Sequence, residues 1–177
     1  MTFLCSDNGV SIIPSAVYSP PDHVLSTDAC LTGCGALCDD YYFHSVFPEN
    51  VLEQVSDINC LELLTVVVSI KLWGHKWRGL SIEIFCDNST TVLAINSGAS
   101  RNGLISTCIR ELWLLCARFE IMLRAQHLPG IENRLADYLS RWHLRPDYYS
   151  EKFFSSVNYD LEEVLVYPNI FDFECNW

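Results

Sequence analysis

The sequence lacks any apolar run long enough to cross a bilayer. Its longest, Leu61 to Ile70, is interrupted by Glu62, Thr65 and Ser69, well short of the roughly 20 residues a spanning helix needs. No membrane helix is therefore expected. Residues 1–14 have neither a basic start nor an apolar core followed by small residues, so a secretory signal is not expected either. The chain is read as intracellular, with cytoplasm and nucleus not distinguished. Positive charge is scarce: 11 Lys and Arg stand against 22 Asp and Glu, a net charge of −11. That balance excludes a surface that is basic all over and grips nucleic acid through phosphates alone. Charged residues make up only 19% of the chain against 50% hydrophobic, which excludes disorder and suffices for one domain with an extension. No internal repeat is visible, so a solenoid is not expected.

Cysteine is the exception to this scarcity. The nine cysteines are odd in number and mostly embedded in apolar segments, and they read as reduced core thiols. Cys30-x-x-x-Cys34-x-x-x-Cys38 has no second pair and no nearby histidine to complete a tetrahedral site, so a zinc knot is not expected. Asp39-Asp40-Tyr41-Tyr42 has the wrong order and context for a polymerase aspartate pair, and 177 residues leave no room for palm and fingers.

The acidic excess is unevenly placed. Residues 1–146 carry 15 acids and 10 bases, whereas residues 147–177 carry 7 acids and one base. Between Arg101 and Arg145 seven arginines face four acids, which leaves room for an anionic partner there.

Residues 1–21 hold Pro14, Pro20 and Pro21 without a sustained period and read as a connector. From His23 the pattern predicts three short antiparallel strands over His23–Asp28, Ala36–Cys38 and Tyr41–Phe47. The acidic stretch between Ala36 and Ile58 is expected to fray the third. Asn59–Trp73 is apolar nearly all round and predicts a buried helix. A strand over Ser81–Cys86 and a helix over Ser89–Asn96, stopped by Ser97-Gly98, follow. Ile105, Cys108, Ile109, Leu112, Leu115 and Cys116 keep a 3.6 period and predict a long amphipathic helix ending near Arg118. A strand over Phe119–Ala125, a Pro129-Gly130 loop and a helix over Arg134–Trp142 complete the order. The expectation is an α/β domain over residues 22–146 with a mixed five-stranded sheet, three antiparallel strands followed by strands joined through helical crossovers, and helices on both faces. Residues 147–177 are expected to be an acidic, aromatic extension that docks on something or begins a second module.

Four acids sit beside apolar residues at element ends: Asp28, Glu62, Asp87 and Asp137. A carboxylate placed among buried side chains is costly without a cation or donors. Four that converge would repel one another and bind divalent ions, and hard oxygen ligands suit Mg²⁺ or Mn²⁺. Each also has a local reading. Glu62 could close a reciprocal cap with Asn59, Asp87-Asn88 could cap the next helix, and Asp137 could be a solvated first-turn acid.

Thr27-Asp28-Ala29 with Gly33-x-Gly35-Ala36, Leu61-Glu62-Leu63, Cys86-Asp87-Asn88, and His127-Leu128-Pro129-Gly130 with Asn133-x-x-Ala136-Asp137-x-Leu139-Ser140-Arg141 together resemble the ribonuclease H (RNase H) domain of retroelement reverse transcriptases. Asn133 to Trp142, and Ile95-Asn96-Ser97-Gly98 before Arg101, are most similar to the DIRS-type, tyrosine-recombinase branch of retrotransposons. The resemblance implies an RNase H-like fold that hydrolyses the RNA strand of RNA/DNA hybrids, leaving a 5′ phosphate and a 3′ hydroxyl. It places the family's metal-binding acids on Asp28, Glu62, Asp87 and Asp137. Two Mg²⁺ ions, with Mn²⁺ as an alternative, would sit roughly 4 Å apart, one activating water and one stabilising the leaving 3′ oxygen. It also implies that Asp28 bridges both ions, that Asp137 helps hold the water-side ion, and that Glu62 and Asp87 hold the other. His127 falls where relatives have an auxiliary histidine for water positioning or product release. Ala29, Gly33, Asn88, Ser89, Arg101 and Asn133 are the implied substrate contacts, with Asn133 also a candidate cap of the last helix. The expected partners are an RNA/DNA hybrid and an upstream polymerase domain, with no membrane. Lys71, Lys76 and Arg78 around Trp77 read either as a hybrid-facing ridge or as a solvated helix end. Two other readings stay open: an inert remnant that still binds nucleic acid or protein, and a DNA-cutting relative of the same fold.

Overall fold

The period-2 pattern from His23 onward folds as an antiparallel meander of β1 (His23–Ala29), β2 (Gly33–Cys38) and β3 (Tyr41–Val46). The structure, a computed structural model, describes residues 20–158 and 160–173. The expected connector over residues 1–21 lies outside the described residues except for its last two. Asp39 adopts a left-handed φ of 51° in the β2–β3 turn, a conformation that a short polar side chain tolerates. β3 does not fray: all six of its residues pair with β2.

After the short α1 (Glu49–Leu52) come α2 (Ile58–Trp73), β4 (Ser81–Cys86), α3 (Ser89–Ser97), α4 (Gly103–Phe119), β5 (Met122–His127), α5 (Arg134–Ser140), α6 (Pro146–Ser156) and β6 (Glu162–Glu163). The sheet order is β5-β4-β1-β2-β3-β6, with β4 and β5 parallel to the β1 direction. The mixed sheet is as expected, but it has six strands rather than five. The sixth comes from the tail: Glu162 and Glu163 pair with Tyr41 and Tyr42 and close the edge that β3 would otherwise expose.

Strand alternation divides the core. Ala36, Cys38 and Phe43 face the large apolar cluster under α2, while Leu37 and Tyr42 face the other side, where Leu139 of α5 and Phe153 of α6 pack. Helices thus cover both faces. The tail is part of this packing, since Phe153 is fully buried against Tyr42 and Trp142, and Phe171 sits edge-on to Phe47.

α2 runs between the sheet and α4 and is buried over most of its length. Its polar residues are absorbed locally: Thr65 and Ser69 donate to the carbonyls of Leu61 and Thr65, four residues back. The helix is capped by Asp57, which accepts from the Asn59 amide, so Asn59 and Glu62 do not form a reciprocal cap. α4 extends to Phe119 and ends on Glu120 in the left-handed conformation, with Ile121 N–H donating to the Cys116 carbonyl. This non-glycine helix stop displaces the last parallel strand from the expected Phe119–Ala125 to Met122–His127. The expected helix Arg134–Trp142 breaks at Arg141 and continues as a 3-10 turn over Trp142–Leu144. Among the described residues no helix is long and apolar enough to cross a membrane.

Candidate active site at the carboxyl ends of the parallel strands

Asp28 lies near the end of β1, and Asp87 directly follows β4. The parallel register sets Ser26 opposite Phe85. Carried two residues further, it brings Asp28 level with Asp87 on strands about 4.8 Å apart. Glu62 enters from the second turn of α2, where Ala29 N–H donates to its carboxylate and the Cys86 thiol lies 3.6 Å from Oε2. The candidate donor atoms of Glu62, Cys86 and Asp87 all lie within 4.8 Å of one another. Asp137 approaches from α5, and its Oδ1 accepts from Arg141 Nε at 2.6 Å.

The electrostatics follow from this convergence. Burial pushes the Asp28 carboxyl up to about 7, reinforced by the charges of Asp87 and Asp137 and opposed by the Ser140 hydroxyl and Arg141. Burial and the charges of Asp28 and Asp87 hold Glu62 well above the usual carboxylate range. Such a cluster lacks countercharge, Arg141 being the one cation among the causes of these shifts. Hard oxygen donors on converging like charges fit a small divalent cation. The Cys86 thiol adds a soft donor to that set.

The other expected site residues divide into those at the rim and those committed to structure. His127 ends β5 opposite Cys86, with Nε2 3.0 Å from the Asp87 carbonyl oxygen. A carbonyl only accepts, so Nε2 is the donor, which in the neutral ring leaves the lone pair on Nδ1. Asn88, not Asp87, caps α3: its Oδ1 accepts from Thr91 N–H, and its Nδ2 donates to Asn59 Oδ1 at 2.9 Å. Ser89 follows it, exposed.

Ala29 is in the core with its amide turned to Glu62, and Gly33 is buried where β2 meets His143, so neither presents itself to a substrate. Arg101 is exposed beyond the far end of α3, whose nine residues span roughly 13 Å. Asn133 occupies the cap position of α5 but makes no cap bond. It is 3% exposed and donates to the Thr27 carbonyl at 2.9 Å, tying the loop before α5 to β1. Its replacement by alanine is expected to cost about 1–3 kcal/mol by leaving that buried carbonyl unpaired, read as a lowered urea midpoint.

Three residues of the quoted motifs take roles that the sequence reading does not assign to them. Ser140 donates to Asp28 Oδ2 and lies near the Asp137 carbonyl; its position three residues after Asp137, on the same helix face, is the signal that could have found it. Arg141, four after Asp137, pairs with that acid. Gly130 lies against Asp87, since a Cβ there would stand 2.8 Å from Oδ2, so the Pro-Gly loop closes over that carboxylate. Several of the basic side chains are already partnered. Lys71 pairs with Glu111 at 3.0 Å, Arg78 with Glu120 at 2.9 Å and Arg124 with Glu83 at 2.8 Å, and Lys76 sits over the Tyr41 ring. The Lys71 to Arg78 stretch is therefore not a free ridge.

No protein-family model and no curated protein matches the chain. Solved structures do match it in fold. RNase H1 from the halophilic archaeon Halobacterium salinarum superposes with a TM-score of 0.58 at 12% identity, covering 70% of this chain and 98% of that one. LC11-RNase H1 in complex with an RNA/DNA hybrid gives 0.51 at 14% identity, covering 66% and 92%. The N-terminal RNase H domain of a Mycobacterium tuberculosis protein gives 0.52 at 11% identity, covering 73% and 96%.

Proposed function

The chain has an RNase H-like fold, and on that premise we propose that it is a ribonuclease H that hydrolyses the RNA strand of RNA/DNA hybrids. The observation that carries this reading is the convergence of Asp28, Glu62 and Asp87 at the ends of adjacent parallel strands, with Asp137 brought alongside by α5. The motif around Asn133 to Arg141 supports the finer assignment to the reverse transcriptase of a DIRS-type retrotransposon, with a polymerase domain as partner.

Asp28, Glu62, Asp87 and Asp137 would hold two divalent ions, Mg²⁺ or Mn²⁺. When bound, these would supply Lewis-acid activation of water and charge stabilisation at the leaving 3′ oxygen. The chain's own residues prepare that site. The Ser140 hydroxyl orients Asp28, Ala29 N–H orients Glu62, and Arg141 holds Asp137 within reach of the cluster. His127, anchored through Nε2, offers Nδ1 at the rim as a proton acceptor. The exposed Ser89 and the second Nδ2 hydrogen of Asn88 are the polar groups best placed to meet a 2′-hydroxyl, the group that separates RNA from DNA.

A competition assay tests the substrate class. With Mg²⁺ and labelled RNA/DNA hybrid, duplex RNA and duplex DNA in one tube, only the RNA strand of the hybrid is expected to be cut, and EDTA is expected to stop the reaction. Cleavage of duplex DNA would replace this reading with that of a DNA-cutting relative.

A further inference from the structure

A second set of potential ligands lies at the opposite end of β1 from the carboxylates. His23 begins β1, and Cys38 and Asp39 stand where β2 turns into β3. His23 Nδ1 is 2.6 Å from Asp39 Oδ2, and Cys38 Sγ is 3.7 Å from the same oxygen. The donor atoms of all three residues lie within 4.8 Å of one another. They border a cavity of about 130 Å³ whose other walls include Tyr41, Trp73, Lys76 and Trp77. His23 and Asp28 are five steps apart along the strand, roughly 16–17 Å at 3.3 Å per residue, so this group is distinct from the proposed active site.

We propose that His23, Cys38 and Asp39 form a zinc site that ties the start of β1 to the β2–β3 turn, with the fourth position open to water in the cavity. The ligand chemistry supports a borderline-soft ion: one imidazole, one thiolate and one carboxylate are ordinary zinc donors, whereas Mg²⁺ prefers oxygen alone. The spacing also suits it. Bonds of about 2.0–2.3 Å in tetrahedral geometry set donors roughly 3.3–3.8 Å apart; the sulfur–oxygen separation of 3.7 Å already meets this, and the nitrogen–oxygen pair needs to open by less than about 1 Å. The left-handed backbone of Asp39 lies within this ligand group.

A thiolate and a carboxylate balance the ion's two charges. Lys76, the cation bordering the cavity, is held over the Tyr41 ring 3.6 Å from its centroid. Without metal, burial and the Asp39 carboxylate keep the Cys38 thiol protonated. Binding therefore releases that proton to solvent, and the Nδ1 proton that His23 shares with Asp39 passes to Nε2 or, from a protonated ring, to solvent, which frees Nδ1 as a ligand. The Cys30, Cys34 and Cys38 spacing does not make a knot of its own, because Cys30 faces the Ser140 carbonyl and Cys34 is fully buried. Cys38 instead meets His23, which begins the preceding strand.

Cobalt substitution tests the site on the full chain. One equivalent of Co²⁺ is expected to give a thiolate-to-cobalt charge-transfer band with the strong visible bands of tetrahedral coordination, and Zn²⁺ is expected to displace it. Cys38→Ser is expected to abolish the band. His23→Gln and Asp39→Asn, which spare the core and the left-handed turn, are expected to weaken Zn²⁺ binding at least about 10–100-fold, as loss of even an outer-shell partner does. Asp87→Asn is expected to leave the band in place. No band in the folded wild-type protein would overturn the proposal. So would a band that survives Cys38→Ser and is lost in Cys86→Ser, which would place the ion among Glu62, Cys86 and Asp87, or in Cys60→Ser, which would place it at the facing Cys60 and Cys108 thiols.

Discussion

Asp28→Asn is expected to abolish hybrid cleavage while making the metal-free protein more stable at pH 8. Loss of activity should be at least ~10³-fold, equivalent to about 4 kcal/mol of transition-state stabilisation, because one of four converging ligands becomes neutral. The gain in stability follows from linkage. The carboxyl is pushed up to about 7 in the folded chain from its ordinary 3.8. Between those values the folded state holds a proton that the unfolded state has lost. Its contribution is therefore fully present below pH 3.8 and is lost as pH rises through about 7. At pH 8 the ionised Asp28 costs stability on the order of 4 kcal/mol, a cost that asparagine removes while its Oδ1 still accepts from Ser140. Thermal melts of the metal-free wild type should show the midpoint falling from pH 5 to pH 8, with a shallower fall in the variant. Mg²⁺ should raise the wild-type midpoint at pH 8 more than that of Asp28→Asn, since an ion that binds only the folded state stabilises it.

Gly35→Ala is expected to be the most damaging single methyl group added to the sheet. A Cβ at Gly35 would stand 2.3 Å from Leu139 Cβ and 2.7 and 2.8 Å from the Leu139 carbonyl carbon and the Ser140 nitrogen. Two of these neighbours are backbone, so no side-chain rotation relieves the clash and α5 has to lift from β2. Overpacking of this kind costs about 2–4 kcal/mol. Asp137, Ser140 and Arg141 travel with α5, and a displacement of 1 Å at a reacting centre costs about 10²-fold in rate. The variant should therefore lose both melting temperature and activity. Gly103→Ala is the control: nothing lies within 4 Å of a Cβ there, and stability should be unchanged or slightly raised.

These two residues show where sequence reasoning reached and where it stopped. Asp28 was legible because an acid inside an apolar strand demands an explanation from electrostatics alone. The strands and long helices were legible because their hydrophobic periods are local. The role of Gly35 was not, since the need for a missing Cβ arises from a helix about 100 residues later in the chain. The same distance hid β6, whose two glutamates have low strand propensity and pair with Tyr41 and Tyr42 next to the place where Phe153 of α6 packs on Tyr42. Asn133 looked like a cap because Asn commonly is one, but a buried Thr27 carbonyl competed for its amide. The arginine-rich stretch suggested an anionic partner, whereas Glu83 and Asp137 neutralise two of its members within the fold. The end of α4 was legible to within a residue, but the start of β5 was not, because Glu120 takes a left-handed stop that delays the strand to Met122.

The most direct measurement follows the RNA strand of an end-labelled RNA/DNA hybrid in Mg²⁺ and in Mn²⁺, with wild-type protein beside Asp87→Asn. Asp87 is partly exposed, so this variant should fold as the wild type does. Wild type is expected to make metal-dependent cuts that leave 5′ phosphates and 3′ hydroxyls, and the variant to leave the strand intact. An intact hybrid with folded wild-type protein in both metals, or equal cleavage by Asp87→Asn, would contradict the ribonuclease H assignment.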